Sequence, residues 1–292
     1  TNSFHNHFDA YYYRTTIHKN MGSGHFYKVQ DMKIPYGHQY GDWASDDLMM
    51  KYYLSVLDKR DTAKPFMSWI TTVTSHQPYN VSRIFSDEYF DLFDKSLPSD
   101  VRSYMSRLKI VDNAIGTLIN GLEERGLLDD TVIALYADHY PYAISTSNLS
   151  KVLDKDLNVD YNADQVPFII YNKNMTAKHF KEYTSYIDFT PTIGNLFGLD
   201  YDSRLYMGSD ILSKDYKSLV LFADGSWKNE YAYFNAATNK IKYYTDKVYT
   251  DEEILAINEA LSLKLKMSSL AIRTNYFSYL DKKLSSYSTS KE

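Results

Sequence analysis

The apolar positions between residues 103 and 126 recur every three or four residues, which predicts an amphipathic helix with one buried face. These positions are Tyr104, Leu108, Val111, Ile115, Leu118 and Leu122. Gly126 fits the C-terminal end of that helix. The run "TVIALYA", residues 131–137, follows without polar alternation. Such a run favours a central strand that is covered on both faces, as in a parallel sheet.

Two further apolar runs predict strands. They are "PFMSWITTVT", residues 65–74, and "VPFIIY", residues 166–171. The segment "DFTPTIGNLFGL", residues 188–199, predicts a capped helix with a proline in its first turn. Because strands alternate with helices, residues 1–213 are expected to form an α/β domain in which helices flank a mainly parallel sheet.

The pattern changes after residue 213, where short alternating runs predict antiparallel strands joined by Asp-Gly and Asn-Lys turns. The runs are "SLVLFADGSW", "YAYFNAATNKIKYY" and "KVYT". A helix is predicted over about residues 251–266, with acidic residues in its first turn. Residues 214–292 are therefore expected to form a small α+β subdomain. Its last residues, "SSYSTSKE", predict a frayed tail.

Composition narrows the classes of function. The 292 residues carry a formal net charge of −5 and no basic run, which argues against nucleic acid as a partner. The absence of cysteine excludes disulfides and thiolate metal sites. No apolar run approaches the roughly 20 residues of a membrane span. The chain does not begin with Met and shows no signal peptide, so we expect an excised fragment or a processed product.

Two candidate site segments lie where predicted strands end. Asp138 and His139 follow the run at 131–137, and His76 follows the run at 65–74. In open α/β sheets, ligands collect beyond the carboxyl ends of the strands. Carboxylate and imidazole are ordinary ligands of Zn²⁺ or Mn²⁺. An Asp-His pair is also common as a plain loop hydrogen bond, and a lone histidine as a surface residue, so both interpretations stay open at this point.

The longest informative stretch is "YMSRLKIVDNAIGTLINGLEERGLLDDTVIALYADHY". It resembles the lipoteichoic acid synthase family, which comprises phosphoglycerol transferases of the sulfatase and alkaline phosphatase superfamily. Further similar blocks occur in the same order along the chain: "GDWASDDLMM", "TTVTSHQPY", "SYIDFTPTIGNLFGLD" and "YMGSDIL". The resemblance extends over about residues 3 to 235 and implies a sulfatase-like fold.

The resemblance also implies a role for each matched position around the metal. Asp138 and His139 would be ligands of a single Mn²⁺ or Mg²⁺ ion, with one or more further ligands missing from this chain. His76 would donate a hydrogen bond to the phosphate or glycerol of the substrate. Ser145 follows the metal pair in a segment, "YPYAISTS", that differs from the family pattern, so its role stays open.

The opening "FHNHFDAYYYR" resembles a family segment "H-G-D-x-x-x-F-W-x-R" that lines the same pocket. On that match His5 and Arg14 would contact phosphate, and Tyr11 and Tyr12 would form an aromatic wall. The planar fork of an arginine suits a phosphate because it can donate two parallel hydrogen bonds. Asn6-His7 replaces the family's Gly-Asp, which leaves the head-group specificity open.

The activity implied by the resemblance is the transfer of glycerophosphate from phosphatidylglycerol to a growing polymer through a metal-activated threonine. No residue of this chain matches that threonine, so the chain alone is expected to be inactive or nearly so. The implied partners are the phosphatidylglycerol head group, the glycerophosphate polymer, and a membrane reached through upstream spans. The implied location is the extracellular face of a bacterial, Gram-positive cell membrane.

Two alternatives remain beside that interpretation. The first is another superfamily reaction: phosphoethanolamine transfer, phosphatase activity or sulfatase activity. A sulfatase would need a Cys or Ser matured to formylglycine, and that position also has no match here. The last alternative is a non-catalytic domain that binds cell-wall polymer through tyrosines, of which the chain has 29.

Overall fold

A computed structural model of the chain describes residues 1–37, 41–79 and 87–289, without the side chains of 285–289. The described chain forms two compact units, Thr1–Thr176 and Ala177–Glu292. The boundary that the sequence predicts, between residues 213 and 214, lies inside the second unit and stays a prediction.

The first unit contains a parallel sheet in the order β2-β1-β3. Its strands are β1 Asn2–His5, β2 His25–Lys28 and β3 Ser68–Thr71. The helices between them are α1 Arg14–Asn20, α2 Val29–Met32 and α3 Asp46–Leu57. In the register, Asn2 lies opposite both His25 and Ser68. The carboxyl ends of the three strands therefore meet at one edge, as the sequence predicts for parallel strands.

The strands β4 Ile133–Tyr136 and β5 Phe168–Tyr171 pair with each other in antiparallel order. Ile133 is buried, whereas Ala134 and Tyr136 are exposed. The prediction that residues 131–137 form a parallel strand covered on both faces is therefore wrong. Alanine and tyrosine look apolar in a sequence pattern, but both residue types also occur on solvent-exposed faces of sheets. The alternation of buried and exposed positions is therefore not visible in this run.

The predicted helix is confirmed as α4, Ser99–Glu124, which packs against α3. Of the apolar positions that predicted its buried face, Leu118 and Leu122 are buried, whereas Leu108 is exposed. Its buried residues share a core with β1, α3 and β4. That core includes Phe4, Met49, Leu54, Leu118 and Leu122. A further helix, α5 Thr146–Leu153, begins after Ser145, whose hydroxyl accepts a hydrogen bond from the backbone of Asn148. In the structure Ser145 is thus a helix cap.

The second unit begins with α6 Phe189–Leu196 and continues into a four-stranded antiparallel sheet. The strands are β6 Val220–Leu221, β7 Trp227–Lys228, β8 Ala232–Asn235 and β9 Lys240–Tyr243. Two helices follow: α7 Asp251–Arg273 and α8 Tyr276–Thr289. Short 3₁₀ turns lie along both units, at Tyr11–Tyr13, Phe90–Leu92, Asn162–Asp164, Tyr186–Asp188 and Ser203–Leu205.

Two details of the second unit differ from the sequence prediction. The segment "KVYT" is a connection instead of a strand, because Thr250 caps α7 and Val248 is exposed. The predicted frayed tail is instead helical as far as Thr289, and residues 290–292 lie outside the described residues. None of the helices in the described ranges is both long and apolar enough to cross a bilayer.

Candidate functional site

The candidate site begins where β1 and β3 end side by side. His5 closes β1 and lies opposite Thr71, which closes β3. The segment after β1 carries His7 and Arg14, and the segment after β3 carries His76. Parallel neighbouring strands thus deliver residues that are up to 71 positions apart in the sequence to one edge of the sheet.

His5 lies beneath this edge and is only 3% exposed. Its Nδ1–H donates a 2.8 Å hydrogen bond to the Thr71 carbonyl, so the neutral ring has its lone pair on Nε2. Burial, together with the nearby Arg14 cation, lowers the pKa of His5 to about 3. His5 is therefore a neutral imidazole near neutral pH.

Three aromatic rings continue from His5 along the edge. The ring centroids of His5 and His7 are 5.8 Å apart, those of His7 and Trp43 are 5.3 Å apart, and those of Trp43 and His76 are 5.3 Å apart. The indole Nε1–H of Trp43 also donates to the His76 carbonyl at 3.1 Å. No site role is predicted for His7 or Trp43 from the sequence. The "GDWAS" block, which contains Trp43 and resembles a family segment, is the signal that could have indicated one.

Arg14 is the first residue of α1 and is half-buried. Its Nε–H is buried without a hydrogen-bond partner. Burial lowers the pKa of Arg14, while the nearby Asp138 carboxylate acts in the opposite direction. The structure thus brings Arg14 and Asp138 within electrostatic reach of each other, although 124 positions separate them in the sequence.

The two tyrosines of the predicted aromatic wall differ in position. Tyr11 packs against His7 with ring centroids 5.1 Å apart, so it lies beside the row of rings. Tyr12 is 67% exposed and contacts Tyr11 and the guanidinium of Arg14. Tyr12 has a positive φ of 55°, in the left-handed region, which turns the chain sharply before α1.

Two buried polar side chains fix the loop that carries His76. The carboxylate of Asp46, on α3, accepts hydrogen bonds from the backbone N–H groups of Val73 and Thr74 at 2.9 and 3.0 Å. The guanidinium of Arg107, on α4, donates to the carbonyls of Thr74 and Tyr79. Both side chains are fully buried, so this loop is anchored from two sides.

Asp138 and His139 lie in a bend two and three residues beyond β4. Asp138 Oδ1 and His139 Nε2 are 3.6 Å apart, and both side chains are exposed. The Nδ1–H of His139 donates to the Tyr140 carbonyl at 2.7 Å, which leaves the Nε2 lone pair for a ligand in the neutral ring. Metal-binding histidines commonly hold their second nitrogen in this way.

A short chain of contacts connects this bend to the loop of His76. The His139 ring lies against Tyr142 with centroids 4.6 Å apart. The hydroxyl of Tyr142 accepts a 3.1 Å hydrogen bond from Gln77 Nε2, and Gln77 follows His76 directly. Within residues 1–37, 41–79 and 87–289, no group of three or more His, Cys, Asp or Glu side chains is placed to hold a metal ion. The pair alone is therefore an incomplete site.

The family model described as Sulfatase matches residues 1–199. The chain therefore belongs to the sulfatase family, whose superfamily members are metal-dependent enzymes. Within that superfamily the chain resembles the lipoteichoic acid synthases. It is 27% identical to lipoteichoic acid synthase 2 of Bacillus subtilis, over 96% of this chain and 43% of that protein. It is 26% identical to lipoteichoic acid synthase of Staphylococcus aureus, over 85% of this chain and 37% of that protein.

Solved structures of sulfatase-like proteins have the same fold as this chain. The lipoteichoic acid synthase LtaP of Listeria monocytogenes matches with a TM-score of 0.76 at 20% identity, over 93% of this chain and 69% of that one. An alkaline phosphatase superfamily protein of Vibrio parahaemolyticus matches with a TM-score of 0.63 at 17% identity, over 94% and 66%. The predicted sulfatase-like α/β fold and the family resemblance are both confirmed. The chain spans less than half the length of the curated relatives it matches.

Proposed function

We propose that this chain supplies the phosphate-binding wall and part of the metal site of a phosphoglycerol transferase. The observation that carries the proposal is that the charges of Arg14 and Asp138 act on each other, and that Arg14 and His76 both act on His7. Arg14 offers a buried N–H without a partner, which is the kind of donor that an anionic phosphate oxygen satisfies. The similarity to lipoteichoic acid synthases favours glycerophosphate as the transferred group.

The side chains at this edge fit a phosphoglycerol group. Arg14 donates to phosphate oxygens, and His76 contacts the phosphate or the glycerol. Tyr11 and Tyr12 form the aromatic wall beside these groups, where an aromatic face can pack against a polyol. His5 is only 3% exposed, so a direct contact with phosphate requires the residues that cover it to move.

Asp138 and His139 are suited to supply two of the ligands of a divalent-metal site. The carboxylate is 83% exposed, and the His139 Nε2 lies 3.6 Å from it, so both can turn to a single ion. The carboxylate favours a hard ion such as Mn²⁺ or Mg²⁺. Such an ion supplies charge stabilisation for phosphoryl oxygens and lowers the pKa of a bound hydroxyl. The proposal places one or more of its remaining ligands outside this chain, as the family resemblance implies.

The reaction follows from the family resemblance. A threonine oxygen attacks the phosphorus of phosphatidylglycerol, the bond from phosphorus to the diacylglycerol oxygen breaks, and diacylglycerol leaves with the proton released by the threonine. A hydroxyl at the polymer end then attacks the phosphorus, the bond from phosphorus to the threonine oxygen breaks, and the hydroxyl proton returns to the threonine. No residue of this chain matches that threonine, so the proposal places the covalent step on a part of the protein outside this sequence, at the extracellular face of the membrane.

The test compares fluorescent phosphatidylglycerol turnover by a full-length protein with turnover by this chain. We expect the full-length protein to release diacylglycerol and this chain to release none. Phosphatidylethanolamine and aryl phosphate and aryl sulfate substrates serve as parallel assays for the other superfamily reactions. Turnover by this chain alone would show that the placement of the nucleophile is wrong. Turnover of only an alternative substrate would replace the assigned reaction.

A further inference from the structure

The helix α7 packs against the antiparallel sheet of the second unit through one face. Ile257 and Leu261 of that face belong to the core that surrounds Trp227. Leu263 follows two residues after Leu261, and successive residues of a helix are turned by about 100°. Leu263 therefore lies on the opposite side of α7, where 58% of it is exposed.

Exposed apolar side chains continue along this outer side of α7. Met267 and Leu270 are also exposed, and their spacing from Leu263 puts all three on one face of the helix. In α8, four more large apolar side chains are exposed: Tyr276, Phe277, Tyr279 and Leu284. We call the exposed side chains of residues 263–284 the C-terminal face. Exposed apolar residues that repeat along a helix face indicate a surface that binds a partner.

The charge of the C-terminal face differs in sign from that of the whole chain. Residues 263–284 contain five basic residues and one acidic residue, a net charge of +4, whereas the whole chain carries −5. The five basic residues are all exposed: Lys264, Lys266, Arg273, Lys282 and Lys283. The acidic residues of α7 lie in its first half instead, from Asp251 to Glu259. The C-terminal face is therefore both apolar and cationic, which selects an anionic partner.

A bilayer of anionic lipids fits both properties of the C-terminal face. A helix that lies on a membrane surface places apolar side chains at the acyl chains and basic side chains at the anionic head groups. Amphipathic aromatic side chains such as Tyr276 and Tyr279 are favoured at the boundary between the two. A second copy of this chain fits less well, because a two-fold interface would place the same basic residues against each other.

We propose that the C-terminal face is a docking surface for a bilayer that contains anionic lipids. The helices α7 and α8 lie on such a bilayer without crossing it, since neither helix, over its described residues, is long and apolar enough to span it. All residues of the C-terminal face belong to the second unit. The proposed docking is therefore independent of Arg14, of Asp138 and of the transferase reaction.

The test measures how this chain sediments with vesicles of phosphatidylserine mixed with phosphatidylcholine, and with vesicles of phosphatidylcholine alone. We expect binding to the anionic vesicles to be at least about tenfold stronger, since each basic residue near an anionic surface contributes about fivefold. Leu263→Ser should weaken binding at least about fivefold, because it removes apolar surface from the C-terminal face. Leu255→Ser is the matched control and should bind like the wild type, since Leu255 is also 58% exposed on α7 but has Glu252 and Glu259 beside it.

A charge variant and a fluorescent label test the two contributions separately. Lys266→Gln should weaken binding about fivefold, whereas Lys240→Gln, at an exposed lysine of β9, should leave binding unchanged. Because the chain has no cysteine, the single substitution Met267→Cys can carry an environment-sensitive fluorophore. Its emission should shift to shorter wavelength when anionic vesicles are added, and the same label on Leu255→Cys should show no shift.

Four results would overturn the inference. The first is equal binding, or no binding, to the two kinds of vesicle, and the second is equal weakening by Leu263→Ser and Leu255→Ser. The third is release from the vesicles by excess glycerol phosphate, which would assign the binding to the candidate phosphate site of the first unit. The fourth is a dimer in sedimentation equilibrium that Leu263→Ser dissociates, because a second copy would then cover the C-terminal face. Failure of the phosphatidylglycerol turnover assay contradicts only the proposed function.

Discussion

The side-chain amide of Asn6 donates a 2.7 Å hydrogen bond to the buried carboxylate of Asp46. The same Nδ2 also donates to the Ala44 carbonyl at 2.8 Å. Asn6 lies directly beyond β1, and Asp46 begins α3. Because Asp46 also binds the backbone of Val73 and Thr74, one carboxylate joins the two segments that carry the site histidines.

The first prediction concerns this carboxylate. Asp46→Ala removes the acceptor of three hydrogen bonds and leaves buried donors unpaired. At 1–3 kcal/mol for each buried unsatisfied group, we expect the free energy of unfolding to fall by about 3 kcal/mol or more. Asp46→Asn keeps one oxygen acceptor and should lose less. Urea denaturation followed by circular dichroism measures both, and equal losses for the two variants would contradict the role assigned to the carboxylate.

Sequence patterns predicted those parts of the structure that depend on local order. The helix α4, the antiparallel strands after residue 213 and the bend at Asp138-His139 each follow from neighbouring residues. The contact between Asn6 and Asp46 does not, because 40 positions separate the two and each is an ordinary polar residue in a pattern.

The second prediction compares two glycines on α4. A Cβ at Gly121 would lie well within van der Waals distance of the buried side chain of Leu54, whereas a Cβ at Gly116 would meet nothing within 4 Å. Gly121→Ala should therefore destabilise the protein by about 1–3 kcal/mol, because Leu54 has to move in a packed core. Gly116→Ala should stabilise it by about 0.5–1 kcal/mol, because alanine is the better helix former.

Thermal unfolding of the two glycine variants measures this difference directly. Gly116→Ala is the matched control, since it makes the same chemical change in the same helix without the contact to Leu54. If both variants are stabilised, α3 and α4 are not as closely packed as the structure shows. If both are destabilised, the cost comes from the helix itself and not from Leu54.

The third prediction concerns pH. The pKa of His5 in the folded protein, about 3, lies below its unfolded value of 6.5, chiefly because of burial. The unfolded chain therefore binds the proton more readily, and stability is lost as the pH falls from 6.5 toward 3. Between about pH 7.5 and pH 5 the free energy of unfolding should fall by about 2 kcal/mol on account of His5.

The variant His5→Asn separates this effect from those of other groups. Its side chain retains an N–H donor for the Thr71 carbonyl but does not titrate. Urea denaturation at several pH values should give a flatter stability curve for the variant than for the wild type. The difference between the two curves reports the titration of His5, including the effects of the His7 and His18 charges on it. Parallel curves would show that His5 is not a buried neutral imidazole.

The last prediction concerns the metal pair in a full-length protein that contains this chain. Asp138→Asn and His139→Ala should each weaken Mn²⁺ binding by at least about 10- to 100-fold, since loss of even an outer-shell partner of a metal ligand costs that much. Both side chains are exposed, so the free energy of unfolding of the metal-free protein should change by no more than about 0.5 kcal/mol. Asp130→Asn, an exposed aspartate beyond α4, is the control and should bind Mn²⁺ like the wild type. Metal content after dialysis and calorimetric titration give the affinities, and wild-type affinity in both site variants would remove Asp138 and His139 from the metal site.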